Sequence, residues 1–241
     1  MRLDKLICQE SLETRTQAQK MIRGGRVTVN GGPATDPGLH VDPERDAVAW
    51  DGKRILPAGE KHLMLYKPAG ILTAARDRAQ RTVMDLLPPF YCARGCMPVG
   101  RLDKDVTGLL LFTTDGELSH RLLSPKRHVE KEYLAWVEGK LWDGDREAFL
   151  QGIPLSDFIC QPARLEIVQS AEEKSLGRVF LREGKFHQVK RMFAARNHPV
   201  LSLHREAFGP LRLDGGLEEG GFRELTQEEV QALYRCAGMT P

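Results

Sequence analysis

The run Val99-Gly100-Arg101-Leu102-Asp103-Lys104-Asp105-Val106-Thr107-Gly108 sets two carboxylates among cations and brackets them with glycines. It then passes into Leu109-Leu110-Leu111-Phe112, an apolar stretch that reads as a buried strand. Such a pattern holds a carboxylate at the edge of a core, where the packing beneath it fixes its direction. A carboxylate so held can attack an electrophilic carbon and leave again, or serve as a base. The same pattern also suits a loop aspartate that does no more than accept bonds from nearby backbone amides. A third use pairs Asp103 with Asp105 as the two acids of a glycosidase, which flank one bond at about 5–9 Å. Residues two apart on a strand face one side, so spacing allows it, but the cationic neighbours suit an anionic polymer better than a neutral sugar.

Several chemistries have no residues to support them. The chain has no Walker-type phosphate loop, no dinucleotide fingerprint after a strand, no His-Glu-x-x-His helix and no Gly-x-Ser-x-Gly elbow. Its five cysteines are scattered and do not form the two short-spaced pairs of a zinc site, so reduced thiols are expected. An enzyme built from these residues is therefore expected to use ordinary side chains, with neither metal nor cofactor. No stretch approaches the roughly 20 apolar residues of a membrane span, and Met1-Arg2-Leu3-Asp4-Lys5 lacks the apolar core of a secretory signal. A cytoplasmic protein with no membrane partner is the expectation.

Net charge is only +2, but it is unevenly spread. Residues 1–32 carry six Lys/Arg (Arg2, Lys5, Arg15, Lys20, Arg23, Arg26) against three Asp/Glu. Residues 178–205 carry seven Lys/Arg against Glu183 alone. Two basic islands in a near-neutral chain suit a polyanion-binding surface, although charge runs are also common on faces that only meet solvent.

The elements that must position these residues follow from periodicity. Leu3, Leu6 and Ile7 have helical spacing, and Thr14-Arg15-Thr16 caps a second helix from Thr16 to Arg23 that Gly24-Gly25 ends. Arg26–Val29 alternates as a strand into the turn residues Asn30-Gly31-Gly32. Val41–Trp50 reads as another strand, and Leu56–Glu60 as a linker. Strands are then expected at His62–Tyr66, Leu109–Thr113, Glu132–Val137, Ala163–Val168, Arg178–Arg182 and Val200–His204. Helices are expected at Val83–Leu87, Glu117–Leu123, Arg146–Gln151 and Gln188–Arg196, with a last one introduced by the capping box Thr226/Glu229. This mixture predicts an α+β fold around a mixed, largely antiparallel sheet.

Gly100-Arg101-Leu102-Asp103 with Thr107-Gly108-Leu109-Leu110 resembles the catalytic-aspartate motif of the pseudouridine synthases of the RsuA/RluA superfamily. Three further segments agree in order and spacing. They are Leu65-Tyr66-Lys67-Pro68-Ala69-Gly70, with Tyr66 where Asn is usual; Lys131-Glu132-Tyr133; and Glu183-Gly184-Lys185-Phe186-His187-Gln188-Val189-Lys190-Arg191-Met192-Phe193. The segment from Arg2-Leu3-Asp4-Lys5 to Val27-Thr28-Val29-Asn30-Gly31 resembles the αL RNA-binding domain of ribosomal small-subunit protein four. The run His187–Phe193, with Leu203-His204-Arg205 after it, is most similar to the branch that modifies small-subunit (16S) ribosomal RNA. Val106 departs from the Thr or Ser often found there, which is expected to alter local hydrogen bonding only.

The resemblance implies a division into an RNA-binding domain (1–58) and a catalytic domain (59–241). It also implies that the chain isomerises a uridine of ribosomal RNA to pseudouridine without cofactor or metal. Asp103 would be the nucleophile, attacking either the uracil ring or the sugar carbon. Tyr133 would stack on the base and remove the proton at the new carbon attachment. Lys190 would pair with Asp103, keeping it ionised and oriented, while Arg191, about 100° round the helix, would point elsewhere. Arg101 would help extrude the uridine, and Lys185, His187 and Arg191 would join the six basic residues of the first domain on the RNA. The expected partner is ribosomal RNA or the assembling small subunit, bound by a monomer. The competing class is an RNA chaperone with the same αL domain and no chemistry.

Overall fold

The computed structural model describes residues 1–11, 14–43, 45–55 and 59–240, and the chain divides into two compact units. The first comprises Met1–Lys61 with Leu87–Met97, the second His62–Leu86 with Pro98–Pro241. Residues 56–58 of the expected linker lie outside the described residues.

The first unit holds helices α1 (Leu3–Ser11) and α2 (Arg15–Arg23) and strands β1 (Val27–Val29), β2 (Gly32–Pro33), β3 (Val48–Trp50) and β4 (Lys53–Arg54), in sheet order β2-β1-β3-β4. Thr14 caps α2 in a reciprocal box with Gln17, satisfying amides the helix leaves unpaired. Asn30 and Gly31 both take positive φ, which closes the β1–β2 hairpin in two residues. Leu3, Leu6, Ile7, Ala18, Ile22, Val27 and Val48 meet in one core. The strand expected over Val41–Trp50 is shorter, because the Asp46 amide and carboxylate bond back to Asp42 and turn the chain. A further short helix, α3 (Pro89–Ala93), was not expected; proline at its first position is tolerated because that amide has no helical acceptor.

Strand β6 (Met97–Pro98) falls at the division, and the second unit is otherwise built on strands β5 (His62–Lys67), β7 (Thr107–Thr113), β8 (Lys131–Glu138), β9 (Arg164–Gln169), β10 (Lys174–Leu181), β11 (Val200–Phe208), β12 (Leu211–Arg212) and β13 (Phe222–Glu224). Its helices are α4 (Gly116–Leu123), α5 (Asp143–Gln151), α6 (Gln188–Ala194) and α7 (Gln227–Cys236). The main strand order is β13-β5-β7-β11-β8-β10-β9, and every neighbouring pair is antiparallel except β7–β11. This is the expected α+β, largely antiparallel architecture. The helix expected at Val83–Leu87 is a single 3-10 turn, Val83–Leu86, too short to bury an amphipathic face.

Two helices are anchored together over one apolar cluster. Asp115 accepts from the Glu117 and Leu118 amides at the start of α4, and also from the Tyr234 hydroxyl of α7 at 2.7 Å. Leu118, Leu122 and Leu233 then pack with Met64, Leu109, Leu111 and Phe208 from the sheet. The strand ladders place Lys67 opposite Gly108, Gly108 opposite Arg205, Arg205 opposite Tyr133 and Tyr133 opposite Val179. One row of residues thus crosses five strands.

Gly108 is the tightest point of that row. Its φ is +110°, and a Cβ there would run into the backbone of Arg205. Gly108→Ala is therefore expected to break the β7–β11 pairing and to lower stability by about 3 kcal/mol or more. Chemical denaturation checks this; a variant within about 0.5 kcal/mol of the wild type would show that the strands can separate freely here.

Candidate active site

The segment entering β7 is tied down at almost every residue. The Val99 amide donates to Leu111 O at 2.7 Å. Thr73 donates its hydroxyl to Leu102 O at 2.8 Å and accepts from the Leu102 amide at 3.3 Å. Lys104 O accepts from the Gly70 amide at 2.8 Å and from Lys67 Nζ at 3.2 Å, while Val106 O accepts from Lys67 Nζ at 2.8 Å. Lys67 gives its third bond to Pro68 O at 2.9 Å. Leu102 and Val106 turn their side chains inward. Asp103 is thereby held between two anchored neighbours.

Lys67 is fully buried, and burial pushes its ammonium down to about 8, against the opposing pull of Asp105 and Asp103. Its three carbonyl acceptors use every proton of the ammonium, which is the condition for burying such a charge.

Asp103 keeps about a third of its side chain exposed, at 31%. His187 Nε2 lies 3.5 Å from Oδ1 and Lys190 Nζ 3.6 Å from Oδ2. Lys190 makes its shorter bonds to Asp105, at 2.6 and 2.8 Å. The ammonium expected to pair with Asp103 is shared between the two carboxylates, with Asp105 the nearer partner. The Lys190 hydrogen bond holds the Asp105 carboxyl below the usual carboxylate range.

Asp103, Tyr133 and Lys190 line one pocket that opens to solvent. Tyr133 is half-buried on β8, and Leu181, Val189 and Leu203 give the pocket an apolar side. Arg101, Lys185 and His187 line it as well. Arg101 is exposed and has no acidic partner among the described residues. A flat, partly apolar ring presented to a carboxylate, with cations around it, fits this arrangement.

Arg191 points away from Asp103, as its helical offset requires. It pairs with Asp157, and the Phe158 ring lies beneath both it and Lys185, whose Nζ is 3.7 Å from the ring centre. In the first unit the six basic residues divide. Arg2 and Arg15 bind the buried Asp4 at 3.0 and 3.1 Å, and Arg26 pairs with Asp51. Lys5, Lys20 and Arg23 have no acidic partner among the described residues.

Sequence reasoning misses Lys67, Thr73 and Gln188 as parts of the site. The available signal for Lys67 is a cation closing the apolar strand His62–Tyr66, a position that is buried only if its charge is satisfied. Thr73 carries no such signal, since its partner Leu102 is brought by tertiary packing, whereas Gln188 bonds within its own segment to the Lys185 amide and Glu183.

The family model described as RNA pseudouridylate synthase matches residues 61–195, and the S4 domain model matches residues 1–46. The chain belongs to the RNA pseudouridylate synthase family and carries an S4 RNA-binding domain. It is 42% identical over 236 residues to the ribosomal small subunit pseudouridine synthase A of Vibrio parahaemolyticus, covering 97% of this chain and 100% of that one. It is 40% identical to the protein of the same name from Escherichia coli K12, with the same coverage. A crystal structure of a pseudouridylate synthase superposes with a TM-score of 0.68 at 36% identity, covering 97% of this chain and 99% of that one.

Because the folded Lys67 titrates near 8 and the free side chain near 10.5, the unfolded state holds the extra proton between those values. The contribution of this group to stability therefore rises with pH across that window. Lys67→Met is expected to remove that rise, to cost about 2–4 kcal/mol at neutral pH by leaving three carbonyls without their donor, and to lower turnover. Denaturation from pH 7 to 10.5, alongside an isomerisation assay, measures all three effects.

Proposed function

We propose that this chain converts a specific uridine of small-subunit (16S) ribosomal RNA to pseudouridine, with Asp103 as the nucleophile. The observation that carries the reading is Asp103 itself, anchored on both sides, flanked by Lys190 and His187, and opening into the pocket that also holds Tyr133. The relatives named for small-subunit synthesis, matched along nearly the whole chain, support the choice of RNA.

The reaction breaks the N1–C1′ bond, turns the uracil over and forms a C5–C1′ bond. The proton lost from C5 is balanced by one gained at N1, so no external reagent is consumed. Asp103 adds to the uridine and leaves again unchanged. Tyr133 stacks on the extruded base and takes the C5 proton; its hydroxyl makes no hydrogen bond among the described residues. Arg101 compensates for part of the unstacking that base extrusion requires. Lys190, held by Asp105, orients Asp103.

Residues 1–58 act as the RNA-binding domain and 59–241 as the catalytic domain. Lys5, Lys20 and Arg23 meet phosphates directly, with Lys185, His187 and Arg191 serving the RNA around the pocket. Arg2, Arg15 and Arg26 divide their charge between the fold and the RNA. On the same reading the protein works as a monomer in the cytoplasm, on ribosomal RNA or the assembling small subunit.

Asp103→Asn keeps the shape of the side chain and removes its nucleophilicity. Pseudouridine mapping on small-subunit RNA is expected to find no product, while filter binding finds the RNA affinity within about threefold of the wild type; substantial turnover would overturn the assignment of Asp103. If the wild type itself makes no pseudouridine on free RNA or on precursor particles, the chaperone reading replaces this one. Lys20→Glu with Arg23→Glu should weaken binding and flatten the log–log salt dependence by about two units, which titrations at several salt concentrations test.

A further inference from the structure

The segment Glu183–His187 carries an aromatic side chain that the chemistry above does not use. Phe186 is 73% exposed, more than any other large apolar side chain among the described residues. Its backbone is nevertheless held. The Lys185 amide donates to Gln188 Oε1 at 2.9 Å, Gln188 Nε2 donates to Glu183 Oε1, and the same Glu183 oxygen accepts from the Gln161 amide at 2.8 Å. Gln188 is itself buried, so the segment is anchored from beneath and presents Phe186 outward.

One face of the Phe186 ring lies on the His187 imidazole, with ring centres 3.8 Å apart and planes 19° from parallel. His187 in turn faces Asp103 at 3.5 Å. The stack therefore begins at the catalytic carboxylate and ends in an aromatic face open to solvent. Phe186 is not among the pocket-lining residues, so a base seated in the pocket would not be what it touches. Lys185 precedes it in the chain, and with Lys190 and Arg101 it lines the pocket beside His187. A flat apolar ring beside cations complements a nucleic-acid strand, whose bases offer flat faces and whose phosphates offer the opposite charge.

We propose that Phe186, backed by His187, is a stacking platform for a nucleobase flanking the target uridine in the same strand. This rests on the reading of the chain as an RNA uridine isomerase and adds a subsite outside the pocket. Gripping the neighbouring base would hold the strand open while the uridine turns over in the pocket. Stacking on an aromatic side chain is sequence-tolerant, so the platform would contribute grip and placement rather than base identity.

The test compares Phe186→Leu, Phe186→Ala and Phe186→Tyr with the wild type on a small-subunit ribosomal RNA transcript, measuring both Kd and single-turnover isomerisation. Leucine is the informative change, since it keeps an apolar side chain and removes the flat ring. The Leu and Ala variants are expected to bind the transcript about 5- to 100-fold more weakly. Their rate at saturating enzyme should fall less than their affinity, and the Tyr variant should stay within about threefold of the wild type in both. Thermal melting confirms folding, which this exposed position should not disturb. Leu binding as well as Tyr, or Ala binding as well as the wild type, would overturn the platform. An active wild type with indifferent Phe186 variants removes the platform alone; an inactive wild type removes the isomerase reading, and the Kd series still decides whether Phe186 grips RNA.

Discussion

The site depends on one buried ammonium. Lys67 spends its three protons on carbonyls of Pro68, Lys104 and Val106; the last two bracket Asp105, and Lys104 directly follows Asp103. A charge without water must find such partners or give up its proton, so the requirement acts in both directions. The loop shields the ammonium, and the ammonium holds the loop. Thr73 adds a second fixed point at Leu102. A carboxylate on a loop is ordinarily less well placed than one on a strand, and here the loop acquires much of a strand's rigidity through this single cation.

The sheet supplies the rest of the geometry. Lys67, Gly108, Arg205 and Tyr133 follow one another across neighbouring strands, so the loop anchor and the pocket tyrosine share one frame. Helix α6 brings Lys190 to the carboxylates, and the bends before it bring His187. Electrostatics within the pocket are shared rather than paired: Lys190 serves two carboxylates, and His187 meets the one Lys190 holds less closely.

Much of this was legible in the residues. The α+β fold with its largely antiparallel sheet followed from the mixture of expected strands and helices. The capped helices followed from Thr14 and Thr226, because a cap is a local interaction written within three residues. The Gly100–Gly108 run identified the carboxylate loop. What could not be read is what depends on distant partners. Asp105 claims Lys190 across 85 positions, and Thr73 holds Leu102 across 29. The strand expected from Val41 failed for the opposite reason, since the short-range bonds between Asp42 and Asp46 outcompeted the pairing its apolar residues allowed. Lys185 and Arg191 were legible as cations but not as partners of Phe158 and Asp157, which lie on another loop.

The parallel pairing of β7 with β11 also sets when the site can exist. Thr107 and His204, hydrogen-bonded across that junction, are 97 positions apart. Contacts so remote in sequence pay a large loop-closure entropy and form late in folding. During synthesis Asp103 leaves the ribosome long before β11 does, and α6 with Lys190 emerges only shortly ahead of that strand. A nascent chain therefore carries its whole S4 domain well before it carries the completed frame around Asp103.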